Sequence, residues 1–401
     1  MRRYLLLALV LCAATIPADA APPSVENFIA RHWRMPLAPQ GPAPTRFSPV
    51  EASLAPEACA TCHPAQFADW RTSLHAQAMG PGVAGQLVEM QTSAPADALG
   101  CHTCHAPLAE QRPLLGTDAT HAQNPAFDPA LRARGLVCAG CHVRAHERFG
   151  PPRRDGSLAS AAPRASLPHG GVTRTPAFLA AEFCRGCHQF TKNGFALNGT
   201  LLENTYEEWK ASRFAREGVQ CQDCHMPDRR HLWRGIHDPG MVRSGLAITA
   251  RLDGAGVQRG GTVRATLTMT STNVGHAFPT YVTPRVILRG ELVDETGAVI
   301  EGSRVERVVA REVALDLSRE VRDTRLAPGR SVELRYRRRV DGAGVRLRLT
   351  VIVEPDAFYT QFFETLLAQG AGAGTAKIRE ALEASRRSPF AVFEQLFPLT
   401  R

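Results

Sequence analysis

The segment Cys221-Gln-Asp-Cys224-His225 decides how this chain folds, because the same pattern occurs five times in it. In each copy, two residues separate a pair of cysteines, and a histidine follows the second cysteine directly. The other four copies are Cys59-Ala-Thr-Cys62-His63, Cys101-His-Thr-Cys104-His105, Cys138-Ala-Gly-Cys141-His142 and Cys184-Arg-Gly-Cys187-His188. Of the 11 cysteines in the chain, Cys12 alone lies outside the copies.

The Cys-x-x-Cys-His pattern is the attachment signature of c-type haem. Its two thiols can bond to the haem vinyl groups, and the histidine is placed to bind the iron. A zinc ribbon does not require a histidine after each cysteine pair, a thioredoxin-like centre would occur once, and a disulfide framework does not explain the repeated spacing. The sequence therefore predicts five covalently attached haem c groups, whose proximal ligands are His63, His105, His142, His188 and His225.

The spacing of the motifs limits how each haem is enclosed. The first cysteines of successive motifs lie about 40 residues apart. A segment of this length supplies a helix or two and a loop, which is too little chain to surround a haem. We therefore expect the haems to pack against one another and to form a continuous chain for electron transfer.

Histidines outside the motifs are candidates for the distal iron ligands. His75 follows His63 by twelve residues, and His237 follows His225 by the same twelve. This offset along a helix moves a side chain about two to three turns away from its own motif. His75 and His237 are therefore predicted to bind the irons of neighbouring haems.

Further candidates have less regular positions. His231 is the alternative to His237, as a ligand or as a partner of a haem propionate, and His276 lies in a Gly-His-Ala-Phe-Pro segment that can reach a haem or lie in a surface loop. His146 follows His142 by four residues, so on a helix both would share one face, where His146 would meet another haem or a propionate. The remaining histidines outside the motifs are His32, His102, His121 and His169.

The N-terminus has the features of a secretory signal peptide. Arg2 and Arg3 precede a short apolar run, and Ala18-Asp19-Ala20 is a typical cleavage site. Residues 1–20 are therefore predicted to be removed. No segment is long and apolar enough to be a transmembrane helix, so we expect an exported, periplasmic protein, either free or peripheral to a membrane complex.

Composition divides the rest of the chain into four parts. Residues 21–50 contain seven prolines and are predicted to form an extended N-terminal arm, in which His32 and Trp33 either contact a haem edge or belong to a disordered tail. Residues 51–242 carry all the motifs in short helices and loops. Alternating β-branched residues predict an antiparallel β-sandwich over residues 243–356, and residues 357–401 are predicted to form a C-terminal helical segment.

One helix is predicted in detail. The segment from Thr205 to Gly218 has a capping box formed by Thr205 and Glu208, and a glycine stop three residues before Cys221. Gly135 lies three residues before Cys138 in the same way. These two cases predict a repeated unit in which a glycine ends the helix before a motif.

The charge of the chain gives little support for nucleic-acid binding. The formal charge of +9 becomes about +8 when the signal peptide leaves, and five ferric haems with ionised propionates would offset roughly five of these charges. The expected partners are redox proteins, whose identity the sequence does not give; an acidic one would suit the remaining positive charge.

The sequence resembles multihaem c-type cytochromes in three features: the five motifs, His75 after the first of them, and the segment Gly275-His276-Ala-Phe278-Pro279 in the β-rich part. Within these it is similar to the superfamily of pentahaem nitrite reductase, hydroxylamine oxidoreductase and small tetrahaem electron-transfer cytochromes. The resemblance implies mostly bis-histidine haems in stacked pairs. It implies a periplasmic location, with His75 and His237 as the best matches to distal ligands.

Two departures from those enzymes bear on function. Pentahaem nitrite reductase has a Cys-x-x-Cys-Lys site, whereas all five motifs here end in histidine. Hydroxylamine oxidoreductase has eight haems and a tyrosine cross-link, for which no equivalent is evident. We therefore predict an electron carrier. The alternative is a multihaem oxidoreductase that acts on a small nitrogen or sulfur compound at one haem with an open distal site.

Overall fold

A computed structural model describes residues 24–117, 120–160, 162–254, 257 and 259–399. The predicted signal peptide, residues 1–20, lies outside this part of the chain. Short helices and small two- or three-stranded sheets form the N-terminal part, and long antiparallel strands begin at Leu246. None of the described helices has the length and apolar content that a membrane crossing needs.

The N-terminal part contains thirteen described α-helices. They are α1 (Val25–His32), α2 (Pro49–Ala52), α3 (Pro56–Ala60), α4 (Pro64–Trp70), α5 (Pro81–Ser93), α6 (Pro95–His105), α7 (Pro129–Arg132), α8 (Cys138–His142), α9 (Arg185–His188), α10 (Thr205–Lys210), α11 (Arg213–Arg216), α12 (Cys221–His225) and α13 (Pro239–Gly245). Seven of the thirteen begin with proline, whose fixed φ and missing N–H suit the first helical position. Each motif lies in one of these helices or at its edge.

Short strands connect these helices. They are β1 (Leu114–Thr117), β2 (Thr120–Gln123), β3 (Val143–Arg144), β4 (Glu147–Gly150), β5 (Thr173–Arg174), β6 (Ala196–Leu197) and β7 (Thr200–Leu201). Residues 21–50 are not extended throughout, because α1 packs its Phe28 and Ile29 side chains into an apolar cluster with Phe178 and Phe183. The arm is thus fixed to the region of the fourth motif.

The helix predicted from Thr205 to Gly218 is interrupted. It consists of α10 and α11, with Ser212 between them in an extended conformation. The predicted capping box is wrong, because α10 has no side-chain cap and Glu208 instead binds the chain near Thr280. The glycine stop is present, with Gly218 at a φ of 79°.

The C-terminal part contains two larger antiparallel sheets and one two-stranded sheet. Its strands are β8 (Leu246–Leu252), β9 (Thr262–Ser271), β10 (Arg285–Val293), β11 (Val305–Val309), β12 (Arg311–Val313), β13 (Glu320–Asp323), β14 (Ser331–Arg339), β15 (Arg346–Glu354) and β16 (Phe390–Pro398). One sheet has the order β14-β9-β8 and the other the order β11-β10-β15-β16. Alternate apolar residues of both sheets, such as Leu267, Tyr336 and Leu349, form one buried cluster, which is the arrangement of a β-sandwich.

The last segment, residues 357–401, is not wholly helical. It contains α14 (Ala357–Gln369) and α15 (Thr375–Arg387), but β16 then pairs with β15 and completes the larger sheet. The two helices pack on α5 at glycines, since a Cβ on Gly85 would lie 2.8 Å from the Ile378 side chain and one on Gly82 2.7 Å from Phe363. The C-terminus therefore contacts both the β-sandwich and the region of the second motif.

Two arginines join the sandwich to the motif region. Arg311 is 1% exposed, and its guanidinium donates to the carbonyl oxygens of Leu201 and Thr200 at 2.7 and 2.8 Å. Arg325 pairs with Glu208 of α10 at 2.9 Å. The β-rich part is thus fixed against the segment that lies between the fourth and fifth motifs.

Candidate haem-binding sites

Three motif histidines each face a histidine from elsewhere in the chain. The distances between ring centres are 6.2 Å for His188 and His75, 6.3 Å for His142 and His231, and 6.4 Å for His225 and His276. An iron bound by two imidazole nitrogens at about 2 Å each, with each nitrogen about 1.1 Å from its ring centre, separates the rings by roughly 6 Å. The three pairs therefore have the spacing that two axial ligands of one haem require.

Burial keeps these imidazoles neutral, which metal binding requires. Desolvation lowers the pKa of His75 to about 3, and that of His188, His142 and His276 to about 4. The pKa of His231 is lowered for the same reason. A neutral, buried ring can offer one nitrogen to iron without competition from a proton.

Hydrogen bonds determine which nitrogen of each ring is available. Nδ1 of His142, His225, His231 and His276 donates to a backbone carbonyl at 2.8, 2.7, 3.1 and 2.9 Å. In the described part of the chain, Nε2 of these rings makes no hydrogen bond. Such a bond at one nitrogen orients the ring and leaves the other for the metal.

Trp233 lies between two of the pairs. Its ring contacts His75 and His231 edge-on, with centre distances of 4.7 and 5.1 Å, and its backbone N–H donates to the carbonyl of His225 at 2.9 Å. The φ of Trp233 is 44°, an uncommon value for a bulky residue that is concentrated at functional sites. Trp233 thus contacts residues that belong to three different motif sites.

The first motif has a candidate partner that the sequence did not single out. His169 lies within electrostatic range of His63, and its Nδ1 donates to the carbonyl of Gly171 at 3.2 Å. Its backbone N–H donates to Glu51 at 2.6 Å, and its φ is 44°. His169 therefore has the same free Nε2 as the distal histidines of the three pairs.

The second motif differs from the others. Nδ1 of His105 donates to the carbonyl of Ala78 at 2.6 Å, as expected of a proximal ligand, yet no histidine outside its own motif has its ring beside His105 among the residues whose side chains are described. Two methionines near this motif, Met79 and Met90, pack in an apolar cluster with Leu87.

Two predicted ligands have other partners in the structure. His237 does not face a motif histidine; its Nε2 lies 3.0 Å from the Asp356 carboxylate. His146 uses its Nε2 to bond the carbonyl of Gly41 at 2.9 Å. In both cases Nε2 has a hydrogen-bond partner within the chain. His32 is similar, because its Nε2 bonds the Cys141 carbonyl at 2.8 Å.

His102 and His121 complete the histidines outside the motifs. His102 is buried on α6, where Nδ1 donates to the carbonyl of Ala98 at 2.6 Å. It lies inside the second motif and cannot reach the far side of that haem. The side chain of His121 lies outside the described residues.

Contacts between the cysteines show which motifs are neighbours. The side chains of three cysteine pairs from different motifs lie within interaction range of each other: Cys59 and Cys138, Cys104 and Cys187, and Cys184 and Cys221. The first motif is thus beside the third, and the fourth is beside both the second and the fifth. Cys141 of the third motif lies within electrostatic range of Cys184, so the fourth motif has three neighbours.

Asp69 positions the partner of the third motif. Its carboxylate accepts two hydrogen bonds from Arg230 at 2.7 and 2.6 Å and one from the backbone N–H of His231 at 3.0 Å. These bonds hold the pKa of Asp69 below its usual range. A charged group thereby holds the backbone at His231 in place.

Two further features fit the attachment of haem. A cavity of about 220 Å³ opens beside Cys224 and His225 of the fifth motif. Nη2 of Arg144, next to the third motif, is buried and makes no hydrogen bond among the described residues. A guanidinium nitrogen in this position suits a haem propionate.

Paired neutral histidines beside Cys-x-x-Cys-His motifs define the class of protein: the chain is a multihaem c-type cytochrome with covalently bound haem c. Residues 58–125 match the family described as cytochrome c554 and c-prime. A curated relative, cytochrome c-552 of Aliarcobacter butzleri (strain RM4018), is 29% identical over 189 residues, which are 44% of this chain. The chain spans about a third (36%) of that relative's length.

A solved structure shares the fold over most of the chain. It is a penta-heme cytochrome c552 from Thermochromatium tepidum, with a TM-score of 0.62 and 18% sequence identity. The match covers 88% of this chain and 100% of the other. At this identity the similarity concerns the fold, and the roles of individual residues rest on their geometry here.

Proposed function

We propose that the protein is a periplasmic electron-transfer cytochrome with five haems, one at each motif. The observation that supports this best is the set of three buried histidine pairs with ring centres 6.2 to 6.4 Å apart. When bound, a haem with two histidine ligands exchanges one electron at its iron and leaves no position for a substrate. Sites closed in this way are suited to electron transfer.

The proposed ligand pairs follow from the ring contacts, with haems 1 to 5 numbered by their motifs. They are His142 and His231 for haem 3, His188 and His75 for haem 4, and His225 and His276 for haem 5. We assign His63 and His169 to haem 1, because the two rings lie close enough to interact and Nε2 of His169 is free. His105 is the proximal ligand of haem 2.

The cysteine contacts support a branched path for electrons. Haem 1 would exchange electrons with haem 3, and haem 4 would connect haems 2, 3 and 5, because their attachment cysteines touch or lie close together. This replaces the simple chain expected from the sequence with a network whose node is haem 4.

The test combines a haem count with a redox titration. Mass spectrometry of the exported protein should show five haems per chain and cleavage of the signal peptide before Ala21. A Cys138→Ser/Cys141→Ser variant should carry four. A reductive titration should consume five electrons per chain, and a count of fewer than five in the unmodified protein would refute the proposal.

A second function is supported by haem 2. Because the described side chains place no second histidine at His105, this haem is the candidate for an open distal site, where a multihaem oxidoreductase would bind a small nitrogen or sulfur compound. Tyr359 lies within electrostatic range of both Asp356 and Cys101 of the second motif, so the His237–Asp356 pair is near this region.

Nitrite and hydroxylamine distinguish the two functions. If haem 2 is open, the ferric protein should show one high-spin signal that shifts when either compound is added. A spectrum that neither compound changes would reject the enzymatic alternative and leave the electron-transfer function.

A further inference from the structure

The proximal histidine of haem 4 has an unusual hydrogen-bond partner. Nδ1 of His105, His142 and His225 bonds a backbone carbonyl oxygen. Nδ1 of His188 instead lies 2.7 Å from the hydroxyl oxygen of Tyr281. A backbone carbonyl oxygen only accepts hydrogen bonds. A tyrosine hydroxyl both accepts and donates, so a change in the charge of a second group bonded to it can alter its bond to the histidine.

That second group is Glu203. The side chains of Glu203 and Tyr281 lie within interaction range of each other, and Thr205 Oγ1 donates to Glu203 Oε1 at 3.0 Å. Thr205 Oγ1 also lies 2.7 Å from the hydroxyl of Thr280, the neighbour of Tyr281. A carboxyl group is therefore held beside the hydroxyl that bonds the ring of His188.

The surroundings of Glu203 favour its neutral form near neutral pH. Burial raises the pKa of Glu203 to about 8. The titratable groups that face it are Tyr281, Cys104 and Glu208; Cys104 loses its proton permanently once its sulfur is bonded to haem, and Glu208 is paired with Arg325 at 2.9 Å. Among the described residues, no arginine or lysine forms an ion pair with Glu203.

We infer that Glu203 and Tyr281 couple electron transfer at haem 4 to the binding of a proton, with Tyr281 as the positioning residue for His188. Glu203 binds one proton from solvent when haem 4 accepts one electron from its donor, and releases that proton when the electron leaves. No other bond is made or broken. The inference rests on the proposed electron-transfer function and on His188 as a ligand of haem 4.

The physical reason lies in the hydrogen bond at His188. An ionised Glu203 accepts the proton of the Tyr281 hydroxyl in a charge-assisted bond, which strengthens the hydroxyl oxygen as an acceptor for Nδ1–H of His188. The imidazole then gives more electron density to the iron, and the nearby negative charge has the same effect. Both favour the oxidised state, so ionisation of Glu203 makes haem 4 harder to reduce.

The position of haem 4 makes this coupling consequential. Its motif touches the second and fifth motifs and lies near the third. A change in the potential of haem 4 therefore changes how electrons are distributed among haems 2, 3 and 5. A change in pH would therefore alter the potential of haem 4, which is the branch point of the proposed network.

The experiment is a redox titration of the haem-loaded protein, followed by EPR, at several pH values between 6 and 9. The signal of haem 4 is identified as the low-spin signal that is lost in a His75→Ala variant. Its reduction equilibrium constant should change little below pH 7 and should fall at higher pH by up to tenfold per pH unit, which is about 59 mV for one electron.

Two variants and a control test the residues. Glu203→Gln keeps a hydrogen-bonding side chain but cannot ionise, and Tyr281→Phe breaks the link; each should make the potential of haem 4 nearly independent of pH above 7. Tyr206→Phe is the matched control, because Tyr206 is a buried tyrosine that donates to Glu182 at 3.0 Å; it should keep the pH dependence of the unmodified protein.

The outcomes separate the possible failures. A potential of haem 4 that is constant from pH 7 to 9 in the unmodified protein, or a slope that survives in Glu203→Gln, would overturn the inference. A slope that is lost in Glu203→Gln but kept in Tyr281→Phe would overturn the role of Tyr281. Failure of the proposed function would appear differently, as a His75→Ala variant in which no low-spin signal is lost.

Discussion

Arg311 should be essential for joining the β-sandwich to the haem-bearing part. Its fully buried guanidinium donates to the carbonyl oxygens of Leu197, Thr200 and Leu201 at 3.1, 2.8 and 2.7 Å. It also pairs with Glu320, which is 11% exposed, at 2.8 Å. A single side chain thus satisfies three carbonyls of the hairpin between the fourth and fifth motifs and one carboxylate of β13.

An Arg311→Met variant should lose about 3–5 kcal/mol of unfolding free energy, because removal of one partner leaves a buried charge without compensation. Methionine retains much of the apolar volume, so the loss reports the polar contacts rather than a cavity. Total stabilities of about 5–15 kcal/mol are usual, so the change should be large in guanidinium denaturation of the haem-loaded protein, followed by circular dichroism.

Arg339→Met is the matched control. Arg339 pairs with Asp341, but both side chains are 70% exposed, and an exposed pair of this kind contributes at most about 1 kcal/mol. The control should therefore unfold close to the unmodified protein. A loss in Arg311→Met that is no larger than the loss in the control would refute the role given to Arg311.

Three further predictions concern the sites. His75→Ala, His231→Ala and His276→Ala should each convert one haem from low-spin to high-spin in the optical and EPR spectra, whereas His237→Ala should leave the spin states of haems 3, 4 and 5 unchanged; the reverse pattern would restore His237 as a ligand. Glu208→Ala should broaden the EPR signal of haem 5, because the Glu208 carboxylate accepts hydrogen bonds from Ala277 N–H and the Thr280 hydroxyl at 3.1 and 2.9 Å and so holds the loop that carries His276; an unaltered signal would contradict this role. The free energy of unfolding should rise with pH between about 4 and 6.5, and above that range the titration of His75 and His276 should no longer change it. The reason is that burial lowers the pKa of His75 to about 3 and of His276 to about 4, so that the unfolded chain binds protons from pH 6.5 downward and the folded chain does not. Urea denaturation at several pH values measures this, and a flat profile from pH 4 to 7 would contradict it.

The cofactor could be predicted from sequence because all of its attachment residues lie within five consecutive positions. Which candidate histidine pairs with which motif could not be predicted, because the pairing depends on contacts between distant parts of the chain. His237 shares its twelve-residue offset with His75, but the chain after the fifth motif turns at Asp228, Arg229 and Trp233, which have positive φ. This turn brings His231 to His142 and leaves His237 to Asp356.

The fold, like the haem sites, could be predicted from the sequence only where the signal is local. The alternation of β8 to β15 predicts strands, and their two sheets share one core as a sandwich does. The final strand was missed although Phe390–Pro398 also alternates, because the preceding helices α14 and α15 suggest a helical C-terminus. Glu203, Tyr281 and His169 have no local signal; only the tertiary contacts bring them to the motifs.

If histidine pairs close the haems of this protein, the EPR spectrum of the fully oxidised protein should show it. At least four of the five haems should then give low-spin signals typical of two histidine ligands, and any high-spin signal should come from haem 2 alone. Two or more high-spin haems in the unmodified protein would mean that histidine pairs do not close these sites.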